Sequence, residues 1–178
     1  NKLPNDPNLA ERAFPGFVLF PQSLNGWQQS ARVEEAIKLL RLIMKKYNVD
    51  PNRVYIHALS NGGGGLYQAI KRAPWLFSAA LPMSAVTNSG STIPGVVEEV
   101  AKIPMWVFQG GKDLNPTPNN TYNTIKAIRE AGGVVRYSLY PHLGHGTWNT
   151  AYNEPDFFSW MLGQRKTNPH VKYGNPVI

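Results

Sequence analysis

The feature of this chain that most restricts its fold is a change of hydrophobic period repeated along its length. Short apolar runs are followed by stretches whose apolar residues recur every three or four positions. The first run is Phe17-Val18-Leu19-Phe20, closed by Pro21, which reads as a buried strand. Val33, Ala36, Ile37, Leu40, Ile43, Met44 and Tyr47 then fall at helical spacing and predict an amphipathic helix. Asp50-Pro51 breaks it, and residues 53–59 read as a second buried strand. Further strands are predicted over 77–83, 104–109 and 134–140. Helices are predicted over 61–71, 96–101, 118–131 and 156–162, with Gly132-Gly133 stopping the third of these. Such alternation makes an α/β protein with a mostly parallel sheet and helices on both faces. Sites in these sheets form beyond the carboxyl ends of the strands, so the residues that follow each strand are the ones that matter.

Composition sets limits on the chemistry. The 178 residues suit one domain with a sizeable core. Residues 1–16 carry no period, and residues 164–178, rich in Pro, Asn and basic side chains, read as a tail or linker. The absence of cysteine excludes thiol catalysis, zinc-thiolate sites, iron–sulfur clusters and disulfides together. No apolar run approaches the roughly 20 residues of a membrane-spanning helix, and no signal-peptide pattern is read at residues 1–16. The formal charge of +7 is scattered rather than clustered and is not interleaved with aromatics, so no nucleic-acid partner is expected.

The stretch HALSNGGGG, residues 57–65, leads from the second strand into a helix. A phosphate loop of the Walker type would need Gly-Lys and then Ser or Thr, but Leu66 and Tyr67 follow Gly65. A dinucleotide fingerprint would need a glycine where Ala58 stands. The remaining chemical reading is a nucleophile elbow, in which a serine sits on a tight strand-to-helix turn. Ala58 and Gly62, two residues on either side of Ser60, are small enough for helix and strand to pass closely. The amide of Asn61 would then be one oxyanion donor, aided by the helix N-terminus. The alternative is a glycine-rich turn with a bystander serine, and the motif alone leaves both standing. Gly63, Gly64 and Gly65 exceed what an elbow needs, which implies close packing or an open pocket floor beside them.

A serine hydroxyl needs a base to take its proton and an acid to orient that base. Asp113 follows the fourth strand and His145 the fifth, so a nucleophile, an acid and a base project from one sheet edge. His142 shares the loop with His145 and is the second choice for the base; His57, on the nucleophile strand, reads as a packed or hydrogen-bonded strand residue, and His170 as a solvated one. Asp156 is explained as an N-terminal helix residue and Asp50 as a turn residue, which leaves Asp113 as the acid. Trp148 either walls the substrate pocket or packs the loop, and Asn88 and Ser89 lie in a polar loop at the active edge. No metal or other cofactor is implied.

These residues resemble the α/β-hydrolase superfamily, specifically the carboxylesterases and predicted peptidases related to feruloyl esterases and polyhydroxybutyrate depolymerases. The resemblance rests on VYIHALSNGGGG, PMWVFQGGKDLNPTP and VVRYSLYPHLGHGTW and covers roughly residues 17–163. The family pattern His-Gly-x-x-Asp is met by Gln109-Gly110-Gly111-Lys112-Asp113, with Gln109 in place of His. Tyr140-Pro141, Gly144-His145 and Trp148 match the final pattern. The resemblance implies a three-layer α/β/α hydrolase fold and a serine esterase with a Ser60, His145, Asp113 triad. It further implies that residues 1–163 are the C-terminal part of the catalytic domain, its N-terminal strands and second oxyanion donor supplied by an upstream part or a companion chain. Feruloyl, acetyl and short aliphatic esters stay open as substrates, small or polymer-linked, and relatives acting on plant polymers imply export. A serine peptidase with the same triad and a non-catalytic carbohydrate- or surface-binding module are the alternatives.

Overall fold

The computed structural model describes residues 16–27, 29–87 and 96–166. The described elements are helix α1 (Ser30–Lys46), strand β1 (Tyr55–Leu59), helix α2 (Asn61–Arg72), strand β2 (Ala79–Met83), helix α3 (Val97–Val100) and strand β3 (Met105–Gly110). Helix α4 (Pro118–Glu130), strand β4 (Val135–Tyr140), helix α5 (Trp148–Tyr152), helix α6 (Phe157–Gly163) and a single 3-10 turn at Pro74–Leu76, between α2 and β2, complete them. The four strands pair in chain order and all in parallel.

Local chemistry accounts for the helix boundaries. The α1 helix carries Lys45 and Lys46 in its last turn, where their charges meet the carbonyl end of the dipole. Beyond it the Asp50 carboxylate accepts the Asn52 amide at 2.9 Å in an Asx turn, which redirects the chain into β1. The α4 helix begins with Thr117 accepting the Asn120 amide at 3.2 Å and with Pro118 in its first turn. It ends with Gly133 donating to the Ile128 carbonyl and Gly132 to that of Arg129, both at 2.9 Å, while Gly132 has φ +85°. This is the Schellman arrangement expected of the Gly132-Gly133 pair.

Side chains alternating along the strands sort into two cores. Met105, Val107, Ala80 and Val135 meet Leu66 and Ile70 of α2, Val100 of α3, and Ile125 and Ile128 of α4. Trp106, Phe108, Leu81 and Met83 meet Ala151 of α5 and Phe157 and Met161 of α6. The result is an α/β/α sandwich with a fully buried centre, in which β2 and β3 are buried at every position.

Two expectations require correction. Residues 17–20 form no strand: Phe17 is 63% exposed and Phe20 68%, and the Phe17 ring lies against Tyr47 at the end of α1, 5.2 Å between centroids. An apolar run alone does not make a strand, because the ladder needs a partner, and among the described residues β1 pairs only with β2. For the same reason β1 is half-buried rather than buried. The α5 helix, which continues from Trp148, lay in a stretch read as loop and connection.

Candidate active site

Ser60 joins β1 to α2 with φ 52° and ψ −123°. A non-glycine residue at such φ is strained by about 1–2 kcal/mol, and here three hydrogen bonds hold it. Its amide donates to the Met83 carbonyl at 3.0 Å, and its carbonyl accepts from Gly63 and Val86, each at 2.9 Å. The Ser60 side chain thereby stands at the carboxyl edge of the sheet, with Asn61 opening the helix behind it.

The glycines that follow owe their place to close neighbours. A Cβ on Gly63 would lie 2.6 Å from the Cα of Ala85, in the loop after β2. One on Gly65 would lie 2.6 Å from the Cβ of Trp27. The first turns of α2 are therefore wedged between the 83–86 segment and Trp27, whose amide donates to the Asn61 side chain at 2.9 Å. For Gly63 and Gly65 the close-packing alternative is the one observed.

Asp113 is held by a loop that only glycine permits. A Cβ on Gly110 would meet the carbonyl oxygens of Gly144 and of Leu143, the latter at 2.7 Å, so the loops after β3 and β4 lie directly against each other. The Lys112 amide donates to the Leu143 carbonyl at 2.8 Å and fixes that contact. The buried Asp113 carboxylate accepts the Asn115 amide on Oδ1 at 2.9 Å and the Gln109 amide Nε2 on Oδ2 at 3.2 Å. Gln109 is itself fully buried and satisfied: Nε2 also donates to the Gly110 and Pro116 carbonyls, and Oε1 accepts from Thr121 at 2.7 Å. At this position, Gln does what a second donor must: it leaves Asp113 with fixed partners for both oxygens.

His145 bridges the other two. Its Nδ1 lies 2.9 Å from Asp113 Oδ2 and its Nε2 lies 2.7 Å from Ser60 Oγ. A carboxylate can only accept, so the proton sits on Nδ1, and the Nε2 lone pair accepts the serine O–H. The imidazole is about a third exposed, with 37% of its side chain accessible, against 2% for Asp113. Ser60, Asp113 and His145 line an open depression of about 510 Å³ together with Val86, Lys112, Leu114 and Asn115.

The other sequence candidates lie elsewhere. Trp148 meets the His145 ring edge-on, 6.1 Å between centroids, and packs on the α5–α6 core. His142 is exposed, and His145 is the loop histidine bonded to Ser60. His57 accepts or donates to the Tyr152 hydroxyl at 2.9 Å and meets Phe157 edge-on; burial pushes its pKa down. Asp156 precedes α6 and is paired with Arg136, whose hydrogen bond holds its carboxyl below the usual range. Asn88, Ser89 and His170 lie outside the described residues. Among the described residues, no group of three or more His, Asp or Glu side chains could hold a metal ion.

Sequence reasoning missed a buried pair. Ser84 Oγ and Thr147 Oγ1 lie 2.9 Å apart, both residues fully buried, and Ser84 has φ 43°. The signal was available for one partner, since Ser84 is the residue that follows β2.

No protein-family model and no curated protein matches the chain. Solved structures do. Over 82% of this chain and 42% of its counterpart, a thermostable esterase superposes with TM-score 0.70 at 30% identity. The chain belongs to the α/β-hydrolase superfamily. A puromycin-hydrolyzing peptidase of Mycobacterium tuberculosis shares the fold at TM-score 0.63 and 18% identity, over 78% of this chain and 26% of that one. SOBER1 of Arabidopsis thaliana shares it at TM-score 0.54 and 22% identity, over 75% of this chain and 64% of its own. This α/β-hydrolase chain thus spans less than two thirds of the length of each of these structures. Among its described residues no helix is long and apolar enough to cross a membrane.

Proposed function

We propose that this α/β-hydrolase chain carries the catalytic centre of a serine esterase. The observation that supports the reading is the continuous hydrogen-bonded path from Ser60 Oγ through His145 to the buried Asp113 carboxylate. His145 Nε2 takes the serine proton as Oγ attacks the ester carbonyl, and the imidazolium that forms is stabilised by Asp113. The Asn61 amide, at the start of α2, donates to the tetrahedral oxyanion. His145 then returns the proton to the departing alkoxide, which leaves an acyl group on Ser60. Water, deprotonated by the same imidazole, attacks the acyl carbon and releases the carboxylic acid.

The preference for esters draws support from the thermostable esterase, which among the structures compared is the one at 30% identity. Feruloyl and acetyl esters are the substrate classes that follow from the sequence resemblance, with the remainder of the pocket wall and the second oxyanion donor contributed from beyond these residues. Hydrolysis of p-nitrophenyl acetate by the full-length protein and its Ser60→Ala variant tests the reading. Loss of turnover is the expected result, and undiminished turnover overturns it.

A further inference from the structure

Among the described residues, the two serines with positive φ follow adjacent strands: Ser60 after β1 and Ser84 after β2. Ser60 stands in the depression, whereas Ser84 faces away from solvent entirely and its hydroxyl meets that of Thr147. Its backbone is anchored to the sheet, with the Ser84 amide donating to the Phe108 carbonyl of β3 at 2.9 Å.

Each end of this hydroxyl pair leads to one of the reacting groups. On the β2 side, the segment containing Ser84 grips Ser60 through both backbone groups, Met83 accepting from the Ser60 amide and Val86 donating to its carbonyl. On the other side, the Thr147 amide donates to the His145 carbonyl at 2.9 Å, and the Thr147 carbonyl accepts from Ala151 of α5. The turn that carries His145 is thus tied to α5 on one flank and, through Thr147 Oγ1, to β2. The His145 loop follows β4, at the far edge of the described sheet, and must reach across the ends of β3 and β2 to meet Ser60, which follows β1. Side-chain bonds spanning that gap are His145 to Ser60 itself and Ser84 to Thr147.

We infer that Ser84 and Thr147 are positioning residues that hold His145 Nε2 in register with Ser60 Oγ. This inference rests on the proposed roles of Ser60 and His145. Neither hydroxyl touches the depression, so substrate affinity is left alone and proton transfer is what suffers when the pair is broken. The strained backbone of Ser84 is retained because a residue turning there points its Oγ at Thr147. A misplacement of the base on the ångström scale is enough to cost about 10- to 100-fold in rate.

The test compares the unaltered full-length protein with Thr147→Val, Thr147→Ser and Ser84→Gly. Thr147→Val keeps shape and removes the hydroxyl. Ser84→Gly removes the other hydroxyl while suiting φ 43°, so it retains the fold where another replacement would not. Expected are a fall in kcat of about tenfold or more for Thr147→Val and Ser84→Gly, KM for p-nitrophenyl acetate within about twofold, and near-normal kcat for Thr147→Ser. The rate of Ser60 labelling by a fluorophosphonate falls by a similar factor. Folded Thr147→Val and Ser84→Gly proteins with unchanged kcat and labelling rate would overturn the inference, as would a change confined to KM. If the unaltered protein shows no labelling at Ser60, the serine-esterase reading fails and this inference fails with it.

Discussion

A methyl group added at Gly63 meets backbone, whereas the same group added at Gly62 meets only another methyl. The Gly62 Cβ would stand 3.5 Å from Ala58 Cβ, an ordinary contact. The Gly63 Cβ would stand 2.6 Å from Ala85 Cα, about 1 Å inside normal carbon contact. Ala85 cannot swing aside, because its neighbours hold Ser60: Met83 accepts from the Ser60 amide and Val86 donates to the Ser60 carbonyl. Both positions lie in the first turn of α2, so the helix-propensity gain of Gly→Ala, up to about 1 kcal/mol, is common to both. It cancels in their difference, which isolates the contact. Overpacking costs about 1–3 kcal/mol, and a backbone neighbour places this case at about 2–3. For a chain of this size that is a gap in Tm of roughly 5–10 °C between the two variants. Thermal and urea unfolding of Gly62→Ala and Gly63→Ala, measured side by side, reads it directly. Gly62→Ala is expected to be neutral or slightly stabilised and Gly63→Ala clearly weakened. Equal stabilities would refute the steric explanation of the glycine run.

Two other perturbations have defined outcomes. Gln109→Leu strips Asp113, Thr121 and two carbonyls of a buried partner; it should lower stability by about 1–3 kcal/mol in urea unfolding and reduce kcat more than KM, and a variant as stable and active as the parent would contradict this. His57 is less basic folded than unfolded because burial disfavours its charged form. The unfolded chain therefore takes up the proton first as pH falls through about 6.5, and folded-state stability is lost with acidification below that range. His57→Phe should make the slope of stability between pH 7 and pH 5 shallower, by at most about 1.4 kcal/mol per pH unit; parallel slopes would count against it.

What the sequence disclosed follows from the range of each interaction. The helices α1, α2 and α4 and the strands β2 to β4 were legible because period and stop signals are local, as with Gly132-Gly133 ending α4. Ser60, Asp113 and His145 could be placed at one edge because parallel connectivity brings strand ends together wherever the crossovers go. The structure sets them within hydrogen-bond distance, which no spacing rule could specify. The exposure of Phe17 to Phe20 was not legible, since apolar composition says nothing of whether a partner strand lies alongside. Nor could the glycine run be explained without Ala85 and Trp27, or Gln109 without Asp113 and Thr121, because these neighbours are set by tertiary packing. Thr147 was hidden for the same reason: its partner Ser84 lies 63 residues away.

The most direct measurement of the central claim is the rate of p-nitrophenyl acetate hydrolysis by the full-length protein and its Ser60→Ala variant, with fluorophosphonate adducts mapped by mass spectrometry. A nucleophilic Ser60 predicts a loss of at least about 10³-fold in Ser60→Ala, with the adduct of the unaltered protein on Ser60. Turnover retained in the variant, or an adduct on another residue, would contradict it.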